Sequence, residues 1–221
     1  MWVRRRLGLF DIVNYVFFAI ISVSFLFPLV MTLAISFSDA LKLGSHPIGV
    51  WPIGFTLDSY KMLLSDGRIL RYYLNTIYYA STGTVTMLFC TCLMAYPLVF
   101  KELRGRTLVT VLLTITLFFG GGLIPYYLVV LKLGLINTVW ALILPGAISA
   151  WNVFIFRTFF STIPDSLRES AWMDGAGHFR VLFRIIVPLS LPLLATFTLF
   201  SVVGFWNDFF NALIFLRTTA K

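Results

Sequence analysis

Long apolar runs separated by short polar segments organise this chain. A hydrocarbon core of about 30 Å is crossed by roughly 20 apolar residues in a helix. Five stretches meet that length: Ile12–Phe37, Tyr73–Phe100, Thr107–Leu131, Thr138–Phe156 and Ile185–Phe205. Short segments of strictly alternating polarity, the mark of a membrane β-barrel, are missing. The pattern predicts an all-α membrane protein with five spans.

Two polar segments interrupt the spans. The first, about Ser38 to Tyr72, carries the turn residues Gly44, Pro47, Gly49, Pro52 and Gly54. The second runs from about Phe160 to Arg184. Its first part predicts a short helix, about Pro164 to Asp174: proline suits a first helical position, and Asp165 and Glu169 suit the early turns. Gly175 offers a left-handed stop. A second helix follows, with Phe179, Leu182, Phe183 and Ile186 at i, i+3, i+4 and i+7 on one face and Arg180 and Arg184 on the other. Pro188 and Pro192 stand where the last span begins.

Composition agrees. Of 221 residues, 59% are apolar and 12% charged, against about 25% charged in a soluble domain. Mean hydropathy is +0.92. The net charge of +8 raises the question of nucleic acid. The basic residues lie between apolar runs, so the excess reads as topology and lipid headgroup contact, with no nucleic acid. Arg4, Arg5 and Arg6 precede an apolar run too long for a signal peptide and without a small-residue cleavage site, so it is a retained span.

Orientation follows from the same residues. With the N-terminus inside, the inner segments hold Arg4, Arg5, Arg6, Lys101, Arg104, Arg106, Arg157, Arg168, Arg180 and Arg184. The outer ones hold Lys42, Lys61, Arg68, Arg71, Lys132, Arg217 and Lys221. The bias places the N-terminus and the 160–184 loop in the cytoplasm.

What the spans lack narrows the chemistry. No Asp, Glu, Lys or His lies deep inside them, so proton relays and ion-coupled sites have no residues to use. No lysine follows a glycine, which removes the phosphate-cradling Gly-Lys-Ser/Thr element. Gly120-Gly121-Gly122 reads as helix weakening or close packing near Pro125. His46 and His178 fall on opposite sides of the membrane, and no metal set forms. Cys90 and Cys92 do not face one another on a helix and read as packing residues. No catalytic set is expected, which leaves a membrane enzyme or a membrane scaffold or anchor as alternative classes.

Two short helices with a glycine corner suit docking into a partner's groove as well as an amphipathic connector on the lipid surface. The residues themselves break the tie by resemblance. Glu169-Ser170-Ala171, then Asp174-Gly175-Ala176, then Ile186-Val187-Pro188 resemble the cytoplasmic loop of importer permeases of the ATP-binding-cassette class: Glu-Ala-Ala, three residues, Gly, then a hydrophobic stretch with Ile and Leu-Pro. Ser170 and Val187 are mild departures. Trp51 to Tyr60, Gly120 to Pro125 and Trp206 to Asn211 are similar to the carbohydrate subfamily. The set looks closest to oligosaccharide permeases of Gram-positive bacteria, similar in role to the second membrane subunit of the maltose importer.

That resemblance implies a type I importer transmembrane domain. Residues 1–72 would be a cytoplasmic tail, first span and outer loop, and 73–221 the core with a coupling loop at about 160–184. It implies a second permease subunit, two cytoplasmic ATPase subunits that bind the ATP, and an extracellular sugar-binding protein, in the plasma membrane of a bacterium. Glu169, Ser170, Ala171, Asp174, Gly175, Ala176, Phe183 and Pro188 would form the ATPase-coupling loop. Trp206, Asn207, Asp208 and Asn211 are candidates for a sugar path, since aromatic faces with amides and a carboxylate suit sugars; an interfacial aromatic belt with a polar helix end explains them more simply. The family usually has six spans. This chain stops soon after the fifth, so the sixth is expected to be missing, through a fragment or a truncated gene, and the chain to be a dependent part.

Overall fold

The computed structural model describes residues 8–44 and 49–217. Arg4, Arg5, Arg6, His46, Pro47 and Lys221 lie outside the described residues. All regular structure among the described residues is helical, in two units, Met1–Tyr72 and Tyr73–Lys221.

In the first unit, α1 (Leu9–Ser36) is 28 residues long. At 1.5 Å per residue it is about 42 Å, more than a bilayer core requires. Asp11 accepts a 2.9 Å hydrogen bond from the Gly8 amide and closes its first turn. Its far end is knitted to the loop that follows. The Ser38 hydroxyl donates to Ala34 O at 2.7 Å and accepts from Ile53 N at 2.9 Å. Phe37 stacks on Phe55 at 5.5 Å and tilts against Tyr60 at 5.2 Å. Two short helices, α2 (Ala40–Leu43) and α3 (Asp58–Ser65), complete this loop.

Helix α4 (Gly67–Ala95) leads into the second unit and ends in a 3-10 turn at Pro97–Val99. The polar turn after it is pinned where Arg106 Nε donates to Leu98 O at 3.0 Å, and Gly105 takes the left-handed conformation that starts α5 (Arg106–Phe118).

Only two helices among the described residues are individually long and apolar enough to cross a membrane: α1 and the stretch Gly67–Val99. The other three predicted spans are interrupted. The third divides into α5 and α6 (Leu123–Lys132), separated by the glycine cluster, with Gly122 at φ 79°. Three consecutive glycines each weaken a helix by about 1 kcal/mol. The fourth divides into α7 (Trp140–Ile143) and α8 (Ala150–Phe160). Pro145 between them brings no amide hydrogen and disfavours helical geometry in the residue before it.

The fifth bends by 83° between His178–Leu189 and Leu191–Trp206. The first arm is α10 (His178–Val181), a π-helical turn Leu182–Ile186 and α11 (Val187–Leu189). The second arm is α12 (Leu191–Trp206). At the corner, Ser190 N turns to Val187 O. The Ser190 hydroxyl, fully buried, takes over Ile186 O at 2.7 Å. Hydroxyls that re-satisfy freed carbonyls let a break persist in lipid. A last helix, α13 (Phe209–Phe215), is capped by Asp208.

Two apolar clusters hold the second unit together. One joins Cys92, Ala95 and Leu98 to Val153, Phe156 and Phe160 and to Val181, Leu182 and Ile186. The other joins Tyr79, Val130, Leu142, Ile143 and Phe215. Between α4 and α12 the approach is close: a Cβ on Gly83 would lie 2.8 Å from the Phe205 ring, small-residue packing of the kind that membrane helices use.

Candidate functional site

The loop between α8 and α10 carries α9 (Asp165–Met173). It is one residue shorter at each end than the sequence predicts, because Pro164 has an extended ψ of 134° and caps the helix from outside. The other end is a Schellman corner. Gly175 N donates to Trp172 O and Ala176 N to Ala171 O, both at 2.9 Å. Gly175 supplies the left-handed φ of 75° that this double closure requires.

The predicted loop residues divide by environment. Ala171 and Ala176 are half-buried and pack against the first apolar cluster. Glu169, Ser170, Asp174 and Gly175 are exposed. The Ser170 hydroxyl bonds back to Ser166 O. Glu169 and Asp174 make no ion pair among the described residues. Met173, 88% exposed, extends the same outward surface.

The second helix departs from its predicted face. Leu182 and Ile186 are buried as expected, but Phe179 is 71% exposed and Phe183 39%. The π turn explains Phe183. Its five-residue spacing brings Val181 and Ile186, both with no exposed surface, onto the inward side and leaves Phe183, inside the turn, facing outward, while Phe179 precedes it in α10. Phe183 stacks on Phe89 at 5.8 Å. Pro188 is exposed next to the corner at Ser190.

Arg168 is not the free topological charge that its place among the inner basic residues implies. It is 4% exposed. One guanidinium nitrogen pairs with Asp165, and the guanidinium lies over the Phe100 ring, 5.5 Å from its centroid. Phe100 also meets Trp172 and His178, each at 5.8 Å, and Tyr96 at 5.2 Å. The only hint in the sequence is that Arg168 and Trp172 are one helical turn apart. The cleft beside this cluster, about 540 Å3, is lined by Lys101, Glu102, Ser161 and Glu169 among others.

The four sugar-path candidates also divide. Asp208 and Asn211 line a cavity of about 660 Å3 together with Tyr126, Trp151, Asn152 and Ser201. Trp206 and Asn207 do not reach it; with Asp208 they line a neighbouring cleft beside Tyr78 and Tyr79. Asn207 donates to Val203 O at 2.8 Å and closes α12. Asp208 accepts from the Tyr79 hydroxyl at 2.8 Å and from the Asn211 amide group at 2.8 Å. Its carboxylate is thus already engaged as a helix cap and interhelical tie.

A bundle of broken helices around a polar-dotted cavity, with a cornered helix on the loop between α8 and α10, is the architecture of a membrane transport subunit. Residues 67–219 match the family described as binding-protein-dependent transport system inner membrane component, and the chain belongs to that family. It is similar to protein LplC of Bacillus subtilis, 42% identical over 212 residues that make up 96% of this chain and 72% of that protein. It is 38% identical over 213 residues, 96% of this chain and 74% of the other, to the polygalacturonan/rhamnogalacturonan transport system permease protein YtcP of the same species. The trehalose/maltose transport system permease protein MalG of Thermococcus litoralis is 34% identical over 198 residues, 86% of this chain and 70% of that one. Among solved structures, a bacterial ABC transporter involved in the import of the acidic polysaccharide alginate superposes with a TM-score of 0.90 at 31% identity, over 99% of this chain and 78% of that chain. The chain has the type I importer fold and is a permease subunit of an ATP-driven importer, not an enzyme.

Proposed function

We propose that this chain is one of two permease subunits of an oligosaccharide importer and that α9 is the contact through which its ATPase drives it. The observation that carries the reading is the division of the loop. Ala171 and Ala176 hold the corner against the core, while Glu169, Ser170 and Asp174 stand outward, the carboxylates unpaired among the described residues. Exposed acids at a rigid corner favour a basic or polar groove on a partner. ATP is bound and hydrolysed by that partner.

In this reading the N-terminus and α9 are cytoplasmic, an extracellular sugar-binding protein delivers the substrate, and the exposed apolar surface of α1 faces lipid. The cavity beside Asp208 and Asn211 forms this subunit's half of the translocation path. The oligosaccharide class rests on what the relatives' names say of those proteins: polygalacturonan and rhamnogalacturonan, trehalose and maltose, alginate. The indole of Trp151 and the amide of Asn152 in the cavity wall suit the apolar faces and hydroxyls of a sugar.

A photo-cross-linking residue at Met173, in the transporter assembled in its own membrane, tests the reading. The expected adduct is to the ATPase subunit, and nucleotide should change its yield. An adduct to an extracellular protein, or none to the ATPase, overturns both the orientation and the docking role.

A further inference from the structure

We propose that Arg168 is a positioning residue that fastens α9 to the end of α4, so that displacement of α9 is passed to α4 through a side-chain joint and not only along the backbone. The inference rests on the reading of α9 as the ATPase contact and adds the route by which movement leaves it.

The backbone on either side of α9 offers no continuous helix along which a displacement could pass. On one side lies a non-helical stretch that ends in Pro164; on the other lies Gly175-Ala176-Gly177. Neither is a continuous helix. The side chains are different. Arg168 and Trp172, one turn apart on α9, both reach Phe100, beyond the end of α4. His178, at the start of α10, meets Phe100 at 5.8 Å, Trp172 at 5.4 Å and Tyr96 at 6.3 Å. Three segments thus converge on one ring.

A guanidinium is an expensive group to bury for packing alone. Its planar face on a ring fixes distance and orientation together, which an aliphatic side chain of similar length does not. The joint also holds spare polar capacity. Arg168 Nη1 and the Tyr96 hydroxyl are both buried, and neither has a hydrogen-bond partner among the described residues. In a cluster that must pass between two arrangements, an unused donor and an unused hydroxyl are groups the second arrangement can pair.

The test uses the assembled transporter in proteoliposomes and needs no substrate. In a Cys90→Ala, Cys92→Ala background, Ser201→Cys places a thiol in the cavity wall. Its labelling by a membrane-impermeant maleimide is compared without nucleotide and after trapping with ATP and vanadate. With Arg168 present, trapping should change the labelling rate. With Arg168→Met, which keeps the stem, ATP hydrolysis and the Met173 cross-link should persist while the trapping-dependent change falls about tenfold. Arg168→Lys, which keeps the charge, should recover part of it. Phe100→Leu should give the same separation and keeps the test open should Arg168→Met not assemble. Labelling that still responds fully in Arg168→Met or Phe100→Leu overturns the proposal. So does a loss of hydrolysis in step with gating, which would make Arg168 part of docking. A missing Met173 cross-link with Arg168 intact strikes the docking reading instead.

Discussion

Gly175 offers a clean separation of backbone from contact effects. Its φ is 75°, and an added Cβ would meet nothing within 4 Å. Substitution therefore costs backbone energy and meets no steric clash with the described residues. An L-residue held left-handed costs about 1–2 kcal/mol. Asparagine tolerates the region best, and a β-branched residue worst. At tenfold per about 1.4 kcal/mol, Gly175→Ala should populate the open corner about 5- to 30-fold more, Gly175→Asn less and Gly175→Val more. The direct readout is hydrogen exchange at the amides of residues 175 and 176, the two donors that close the corner. Protection should fall in the order Gly, Asn, Ala, Val, and transport-coupled ATP hydrolysis should follow the same order. Equal protection in Gly175→Ala would refute the claim that the corner depends on a left-handed residue. Full protection in Gly175→Asn with coupling lost would move the cause to the partner's surface.

Other expectations follow from single contacts. Ser190→Ala removes the hydroxyl that serves Ile186 O in a fully buried corner, and unfolding in mixed micelles should show a loss of about 1 kcal/mol; an unchanged midpoint would mean the bend does not use that bond. Gly83→Ala forces a carbon to 2.8 Å from the Phe205 ring where about 3.5–4.0 Å is ordinary, at a cost of about 1–3 kcal/mol. Phe205→Leu should relieve it, so additive single and double variants would show that the two helices are not in contact. Asp66 receives Arg68 Nε, Arg68 Nη2 and the Arg68 amide at 2.9–3.2 Å. Those bonds hold its carboxyl below its ordinary value of 3.8. Its contribution to the start of α4 is present above that value and lost as the pH falls below it. Exchange at the first amides of α4 should rise in acid beyond the ordinary pH dependence of exchange, and Asp66→Asn should remove that extra rise.

Hydropathy located the helices but not their breaks; the glycine cluster, read from its own residues as helix weakening, is where the third span divides. A sum over apolar residues is indifferent to where the backbone leaves the helix. Leu123 to Lys132 and Trp140 to Ile143 are apolar, yet the glycine cluster and Pro145 cut them from α5 and α8. The glycine corner was legible because few residues other than Gly175 can end a helix left-handed. The outward turn of Phe183 was not, because a 3.6-residue wheel cannot anticipate a π turn. Arg168 was misread because its partner ring, Phe100, comes from a distant part of the chain. Of the sugar-path candidates, Asp208 and Asn211 fell together because they share one capping geometry, whereas Trp206 and Asn207 follow the turn of α12 toward another cleft.

The knit at the end of α1 bears on the order in which the protein is made. Its ties span short stretches: Ser38 to Ile53 is 15 residues, and Ser36 to Tyr60, whose hydroxyls meet at 2.8 Å, is 24. Contacts so local close quickly, and every residue they join precedes the first residue of α4 in the chain. The ring joint at Phe100 must wait for His178. The loop that follows α1 can therefore set while the second unit is still being synthesised.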